Sequence, residues 1–289
     1  MAGKIYVGVG GWTFEPWRGT FYPEGLTHKR ELEYASRKLT SIEINGTYYS
    51  SFKPASWAKW RAETPGGFVF AMKASRFCTN RRQLGEAGDS VARFVGQGLV
   101  ELGDRLGPIN WQFMATKKFD PEDIEAFLKL LPREAGKLPL RHALEVRHPS
   151  FQDRRFYDLA RKYNAAIVYA HDEDFPEIDE PTADFTYARL MGAQEKVKTG
   201  YKPADIMQSL MATMMARSNN PDAVKVLVPA AQWGFTVDKG ESDEAAGVTV
   251  KQVLKDSPAD QAGLKAGDRL LTLEELGLQV PVLLLQANV

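Results

Sequence analysis

The 289-residue sequence contains one cysteine, Cys78, and has no net charge, because 37 basic residues balance 37 acidic ones. One cysteine excludes an internal disulfide, which fits a reducing compartment. A neutral chain offers no bulk attraction to nucleic acid or to an anionic membrane. We therefore expect neither of them as the main partner, and we expect the cysteine to have a small, buried, apolar role.

The sequence also lacks long apolar runs and the common cofactor motifs. No apolar run is long enough to span a bilayer and no apolar signal stretch precedes the first predicted strand, so we expect a cytoplasmic protein. Gly8, Gly10 and Gly11 are too close together to form the dinucleotide-binding pattern Gly-x-Gly-x-x-Gly. His-Glu-x-x-His and paired-cysteine spacings are missing as well. The sequence therefore assigns no cofactor.

Two strand-like segments, residues 41–49 and 143–149, carry polar side chains at every second position, between apolar ones. Side chains on a strand alternate between its two faces. One face of each segment is therefore apolar and the other is polar. The polar positions are Glu43, Asn45, Glu145 and Arg147. Charges on such strands are costly unless they are paired or used, so both polar faces are expected to point into one cavity.

Strand and helix patterns alternate at roughly the thirty-residue spacing of βα units. The predicted strands are Ile5–Gly10, Ser41–Asn45, Phe68–Lys73, Ile109–Met114, His142–His148, Ala166–Asp172, Phe185–Met191 and, more weakly, Val224–Val228. The helical patterns between them include Lys29–Lys38, Ser90–Leu102 and Pro121–Leu131, the last with Asp120 as its N-cap. Seven or eight units predict an α/β fold of the (β/α)₈ TIM type, with the catalytic groups at the C-terminal ends of the strands.

The first two hundred residues resemble the YecE-like family, which is domain-of-unknown-function family 72. The matching segments are residues 7–12, 17–23, 43–49, Trp60, 65–73, 144–151 and 187–192. The resemblance implies a TIM-type barrel but no established reaction. The family usually has Arg-Leu-His-Gly on its seventh strand, whereas Met191 stands at the histidine position here. The family's aromatic eighth strand and closing helix are not found after Tyr201, so the barrel is expected to be incomplete at its last unit unless Val224–Val228 fills it.

The composition changes near Asn219–Pro221, which predicts a barrel over residues 1–230 and a small, mostly β appendage over 231–289. The tail from Trp233 to about Leu273 resembles the first part of a PDZ domain, with Trp233–Phe235 at the carboxylate-binding turn. A PDZ domain holds its peptide between a strand and a later helix. No counterpart of that helix is evident, so a working groove for a peptide C-terminus is not expected.

Continuing the alternation along the other predicted strands adds Lys73, Gln112, Asp172 and Arg189 to the inward faces. The leading hypothesis is an enzyme, either a hydrolase, a lyase or an isomerase, that acts on a small anionic substrate such as a phosphorylated sugar or nucleotide fragment. The candidate catalytic residues are Glu43 and Glu145 as general acid and base and His148 as a proton relay. The candidate substrate-binding residues are Trp12, Asn45, Tyr48, Lys73, Gln112, Arg147, Asp172 and Arg189.

Three alternatives compete with this hypothesis. The charges can form a purely structural network, with Glu43 paired to Lys73 and Glu145 to Arg147 or Arg189. The protein can be a non-catalytic ligand-binding or adaptor protein that uses its PDZ-like tail. Metal-dependent nucleic-acid processing is the third alternative. It draws on fold analogy and on scattered carboxylate and imidazole groups, which support a divalent metal only weakly.

Overall fold

The structure is a computed structural model, and it describes residues 5–192, 235–238, 248–253, 255, 265–267, 269–270 and 283–287. The strands are β1 (Ile5–Gly10), β2 (Ser41–Ile44), β3 (Val69–Lys73), β4 (Leu106–Gln112), β5 (Glu134–Ala135), β6 (Leu138–Pro139), β7 (His142–Glu145), β8 (Ala165–Ile167), β9 (Tyr169–His171), β10 (Thr186–Leu190), β11 (Phe235–Asp238), β12 (Val248–Val253), β13 (Arg269–Leu270) and β14 (Leu283–Ala287). Seven strands were predicted within the first 191 residues, and each overlaps a strand of the structure.

Helices cover one face of the main sheet. They are α1 (Glu31–Ala35), α2 (Gly46–Tyr49), α3 (Pro54–Glu63), α4 (Arg76–Thr79), α5 (Gly88–Val95), α6 (Pro121–Leu130) and α7 (Arg154–Lys162), with 3₁₀ turns at Glu15–Trp17, His28–Arg30, Leu84–Glu86, Leu99–Arg105 and Pro149–Phe151. The start of α6 confirms the predicted cap, because the Asp120 carboxylate accepts from the backbone amides of Glu122 and Asp123.

The main sheet is parallel, as expected of βα units, and its strand order is β8-β7-β4-β3-β2-β1-β14-β10-β9. The two outermost strands in this order, β8 and β9, are separated along the chain by Val168 alone. The Val168 amide donates to the carbonyl of Leu144, 2.9 Å away. One segment, 165–171, therefore pairs with β7 through its first half and with β10 through its second half.

Strand β14 lies between β1 and β10, where the missing eighth strand was expected. The predicted occupant, Val224–Val228, lies outside the described residues. The chain forms two compact units. The larger unit contains residues 4–202 together with 281–289, and the smaller contains residues 203–280 with 1–3. Within the smaller unit, β11, β12 and β13 form an antiparallel sheet.

Large apolar side chains fill the layer between the main sheet and its helices, with Trp57, Trp111, Phe127 and Phe156 fully buried there. The opposite face of the sheet carries fewer apolar side chains. Its apolar cluster is Ala71, Ala143, Ala166, Val168, Phe185 and Tyr187. These residues occupy the same alternating positions as the predicted polar ones, so the polar side chains continue this inner layer toward the C-terminal ends of the strands.

Candidate active site

Two carboxylates from separate strands meet at one amide. Glu43 ends the inner face of β2 and Glu145 that of β7, and both are buried. The Asn110 side chain on β4 donates to Oε2 of Glu43 at 3.1 Å and to Oε2 of Glu145 at 2.8 Å. The prediction that these two charged faces point into the same space is thereby confirmed.

Glu145 is saturated with donors. It accepts six hydrogen bonds, from Asn110, Gln112, Arg147 and Arg189. Arg189 contacts both of its oxygens, at 2.9 and 2.8 Å, while Gln112 reaches Oε1 at 2.6 Å. Burial alone raises the pKa of Glu145, but Arg189, Arg147 and Asn110 outweigh it and bring the pKa to about 2. Glu145 is therefore a fixed anion, and its predicted part as a general acid or base does not fit this environment.

Glu43 is bound on one side only. Its Oε2 accepts from the Tyr187 hydroxyl and from Asn110. Its buried Oε1 has no hydrogen-bond partner among the described residues, and the nearest cation is Nη2 of Arg189 at 3.5 Å. Burial and the negative charge of Glu43 raise the pKa of Tyr187 well above its ordinary value, so the phenol stays a neutral donor. Glu43 thus keeps an oxygen that can accept a proton.

Lys73 and Tyr48 lie beside this cluster. Lys73 ends β3, in register with Asn110, and its Nζ lies 4.8 Å from the centroid of the Tyr48 ring. Tyr48 also exchanges hydrogen bonds with Asn80. Burial lowers the pKa of Lys73, and the positive charge of Arg189 lowers it further, against the opposing effect of Glu43 and Glu145. The predicted Glu43–Lys73 ion pair is not formed among the described residues; Arg189 takes that place.

Arg147 connects the buried cluster to the outside. Its Nε and Nη2 donate to Glu145 at 3.1 and 2.8 Å, and its guanidinium carbon lies 4.4 Å from the ring centroid of Phe175. The side chain keeps 23% of its exposure. Among the described residues Nη1 has no hydrogen-bond partner, so Arg147 presents one edge of its fork to a ligand.

Three predicted site residues have other contacts. Trp12 is partly buried and packs against Trp60 and Phe70 of the layer between sheet and helices, with ring centroids 5.5 and 6.4 Å away. His148 accepts the amide hydrogen of Ser150 on Nδ1 at 3.1 Å and so caps the 3₁₀ turn that follows. Asp172 accepts from the amide of Asp174 in the turn after β9.

Asn45 follows β2 and precedes α2, and its buried Oδ1 has no hydrogen-bond partner in the described part of the chain. Asn110 and Tyr187 contact the carboxylates although neither was proposed as a site residue. The alternation along the strands could have identified both, because Asn110 lies two residues before Gln112, and Tyr187 two residues before Arg189.

Cys78 is fully buried and its pKa is raised to about 12 by burial, which confirms the expected apolar role.

A cavity of about 650 Å³ lies at the opposite ends of the strands, lined by residues such as Arg133, Arg141, His142 and Asn164. None of the polar cluster lines it, so it is separate from the candidate site.

In the described residues no three His, Cys, Asp or Glu side chains form a group that could hold a metal ion. The helices described here include none with the length and apolarity that a membrane crossing requires.

Comparison with known proteins extends these findings. A family model described as protein of unknown function DUF72 matches residues 6–236, and a PDZ domain model matches residues 225–275. The UPF0759 protein YunF of Bacillus subtilis (strain 168) is 25% identical over 182 residues, which is 61% of this chain and 62% of that protein. The chain therefore spans less than two thirds of this curated relative.

Solved structures agree on the fold. A DUF72 family protein from Thermotoga maritima MSB8 superposes with a TM-score of 0.61 at 20% identity, over 98% of this chain and 92% of the other. One from Enterococcus faecalis V583 gives a TM-score of 0.54 at 17% identity, over 73% and 86%. Identities this low show the fold alone. Because the family model covers most of the sequence, the chain belongs to the DUF72 family of proteins of unknown function.

Proposed function

We propose that this protein is a TIM-type barrel enzyme that uses acid–base chemistry on a small, polar, anionic substrate at the C-terminal ends of its strands. The segment 165–171 pairs with β7 and with β10, and this supports a sheet that closes on itself. Catalytic groups of such barrels lie at the C-terminal ends of the strands, and this is where Glu43, Lys73 and Glu145 are found.

One observation carries the proposal: the two carboxylates have opposite environments. Glu145 has its oxygens filled by donors, whereas Glu43 has one oxygen without a hydrogen bond among the described residues. Pairs of acids whose surroundings differ in this way commonly divide the work between a fixed charge and a proton carrier. We assign Glu43 to proton transfer and Glu145 to holding Arg147 and Arg189 in place.

The charge balance of the cluster supports an anionic substrate. Three cations, Lys73, Arg147 and Arg189, face two carboxylates, so the cluster has one positive charge in excess when Lys73 is protonated. Arg189 is engaged by both acids, but Arg147 and Lys73 are partly exposed. A phosphate or carboxylate group of the substrate would accept hydrogen bonds from the open edge of Arg147.

A melting-temperature screen with phosphorylated sugars and nucleotide fragments tests binding, since a ligand that binds the folded state raises its apparent stability. Arg147→Met should abolish the shift. Arg155→Met is the matched control, because Arg155 also pairs with a carboxylate two residues earlier, Asp153, but on the surface. Equal shifts in both variants would contradict the proposed anion site.

Turnover is tested with whichever compound raises the melting temperature. Mass spectrometry and NMR should detect product with the unaltered protein and none with Glu43→Gln, while the binding shift is retained in both. A ligand recovered unchanged from the unaltered protein would instead support the non-catalytic binding alternative. Full turnover by the Glu43→Gln variant would refute the role given to Glu43.

A second candidate function is peptide binding by the PDZ-like segment. The PDZ match over residues 225–275 and the antiparallel pairing of β11 with β12 favour it. PDZ domains bind peptide C-termini by strand addition. Fluorescence anisotropy with the full chain and a labelled peptide ending in a free apolar residue is the test, with the C-terminally amidated peptide as control. Equal affinity for both peptides would exclude this mode of binding.

A further inference from the structure

Lys73 is half-buried and Lys117 is buried, and the two lysines differ in the partners of their amines. The Nζ of Lys117 donates to the carbonyl of Arg82 and to the Asp123 carboxylate, so its charge is paired with an acid. Lys73 is half-buried, yet its Nζ has no hydrogen bond and no carboxylate within 4.0 Å in the part of the chain that is described. The Nζ lies over the face of the Tyr48 ring, 4.8 Å from the ring centroid.

The surroundings of Lys73 weaken the hold of its amine on a proton. An ammonium group removed from water without hydrogen-bond acceptors loses solvation that the ring of Tyr48 restores only in part. Arg189 and Arg147 add repulsion from the same cluster, and the pKa of Lys73 is lowered accordingly. A desolvated lysine beside other cations is the environment that makes an amine nucleophilic near neutral pH.

We propose that Lys73 is a catalytic nucleophile that forms an imine with an aldehyde or ketone substrate bearing an anionic group. This inference rests on the proposed function, because it uses the same site and names the substrate class. The Nζ lone pair attacks the carbonyl carbon and forms a carbon–nitrogen bond. The carbonyl oxygen then leaves as water, taking both protons of the amine, and a carbon–nitrogen double bond remains.

The neighbouring residues have roles that fit this step. We assign the proton transfers of this step to Glu43, whose Oε1 has no hydrogen-bond partner among the described residues. Its carboxylate lies more than 4.0 Å from the Lys73 amine, so one water molecule relays the proton between them. Arg147 binds the anionic group of the substrate through its open Nη1 edge. Glu145 is too strongly held by its donors to exchange protons, so it keeps Arg147 and Arg189 positioned.

Borohydride trapping tests the proposal. The full-length protein is incubated with dihydroxyacetone phosphate, glyceraldehyde 3-phosphate or pyruvate, and sodium borohydride reduces any imine to a stable secondary amine. Peptide mass spectrometry should find the adduct at Lys73, at least tenfold above the exposed lysines Lys53 and Lys118. Lys73→Arg should give no adduct at this position, Arg147→Met should lower labelling at least tenfold, and Arg155→Met should leave it unchanged. Unphosphorylated dihydroxyacetone should label Lys73 far less.

The outcomes separate this inference from the proposed function. A melting-temperature shift with one of the three probes, without an adduct at Lys73, overturns the imine and leaves the anion site standing. Labelling spread evenly over Lys53, Lys73 and Lys118 overturns it as well. If no probe gives either a melting-temperature shift or an adduct, both proposals are contradicted. Circular dichroism of each variant shows whether a lost adduct reflects lost folding.

Discussion

At the scale of single residues, the number of donors around a carboxylate decides what that carboxylate can do. Glu43 and Glu145 are chemically identical and both buried. Glu145 lies between two guanidinium groups and two amides, which stabilise its charge. Glu43 has a phenol and an amide on one oxygen only. Glu145 is therefore suited to holding other groups in place, and Glu43 to exchanging a proton.

Glutamine substitution should separate the two acids by stability. Removing the charge of Glu145 leaves Arg147 and Arg189 without their shared partner, and breaking a buried ion pair costs about 3 to 5 kcal/mol. Glu43→Gln keeps an acceptor oxygen for Tyr187 and Asn110, and Arg189 keeps Glu145 as its closer partner, so this substitution should cost less, about 1 to 2 kcal/mol. Urea unfolding of both variants measures the difference. Equal losses would show that Glu43 is as structural as Glu145.

Acid should remove the contribution of Glu145. Its pKa in the folded protein, about 2, is below its ordinary value of 4.5, so the stabilisation is fully present above pH 4.5 and is lost as the pH falls toward 2. The melting temperatures of the unaltered protein and of Glu145→Gln should therefore differ most above pH 5 and converge toward pH 2. A difference that is constant over this range would contradict the assigned pKa.

We expect the half-buried amine of Lys73 to lower the free energy of unfolding. Its pKa is lowered in the folded state, so the protonated amine destabilises the folded protein at low and neutral pH, and this cost is lost as the pH rises to the ordinary value of 10.5. Lys73→Met should therefore raise the melting temperature at pH 7, and the gain should disappear as the pH rises through 10.5. Lys118→Met is the exposed control and should change little. A lower melting temperature for Lys73→Met would show that the amine is a structural contact.

At the scale of elements, the close approach of β1 and β2 depends on a residue without a side chain. Gly8 is in register with Ser41, and a Cβ at Gly8 would lie only 2.1 Å from the Ser41 carbonyl oxygen. Neither backbone can yield without disturbing its other neighbours. The paired strands therefore require glycine at this position, which lies two residues before Gly10, the partner of Glu43.

Gly8→Ala should destabilise the protein by about 3 kcal/mol, because it overpacks two hydrogen-bonded strands. Gly66→Ala is the matched control, since a Cβ there meets nothing within 4 Å. Thermal or urea unfolding compares the two. If Gly8→Ala is as stable as Gly66→Ala, β1 and β2 are not paired in this register.

At the scale of the whole molecule, the sheet depends on a strand from the far end of the sequence. β14 is in register with β1 on one side and β10 on the other, so Leu285 pairs with both Val7 and Ala188. Without this strand, β1 and β10 would each have an unpaired edge. Such edges pair with other chains and promote aggregation.

Leu285→Pro should therefore lead to aggregation, because proline removes a backbone donor from a strand that is paired on both sides. Leu285→Ala keeps the donor and should stay monodisperse, with only a modest loss of stability. Size-exclusion chromatography with light scattering distinguishes them. Identical elution of the two variants would place β14 outside the sheet.

The alternation of apolar and polar residues was sufficient to predict the parallel α/β units and the inward positions of Glu43, Lys73, Glu145 and Arg189, because this pattern is local and has a period of two. Only the tertiary structure decided which acid has both oxygens filled by donors, that Trp12 packs against Trp60 and Phe70, and that β14 completes the strand order. Each of these depends on partners far apart along the chain, such as Tyr187 and Glu43, which are 144 residues apart. No local pattern specifies how many donors reach one oxygen.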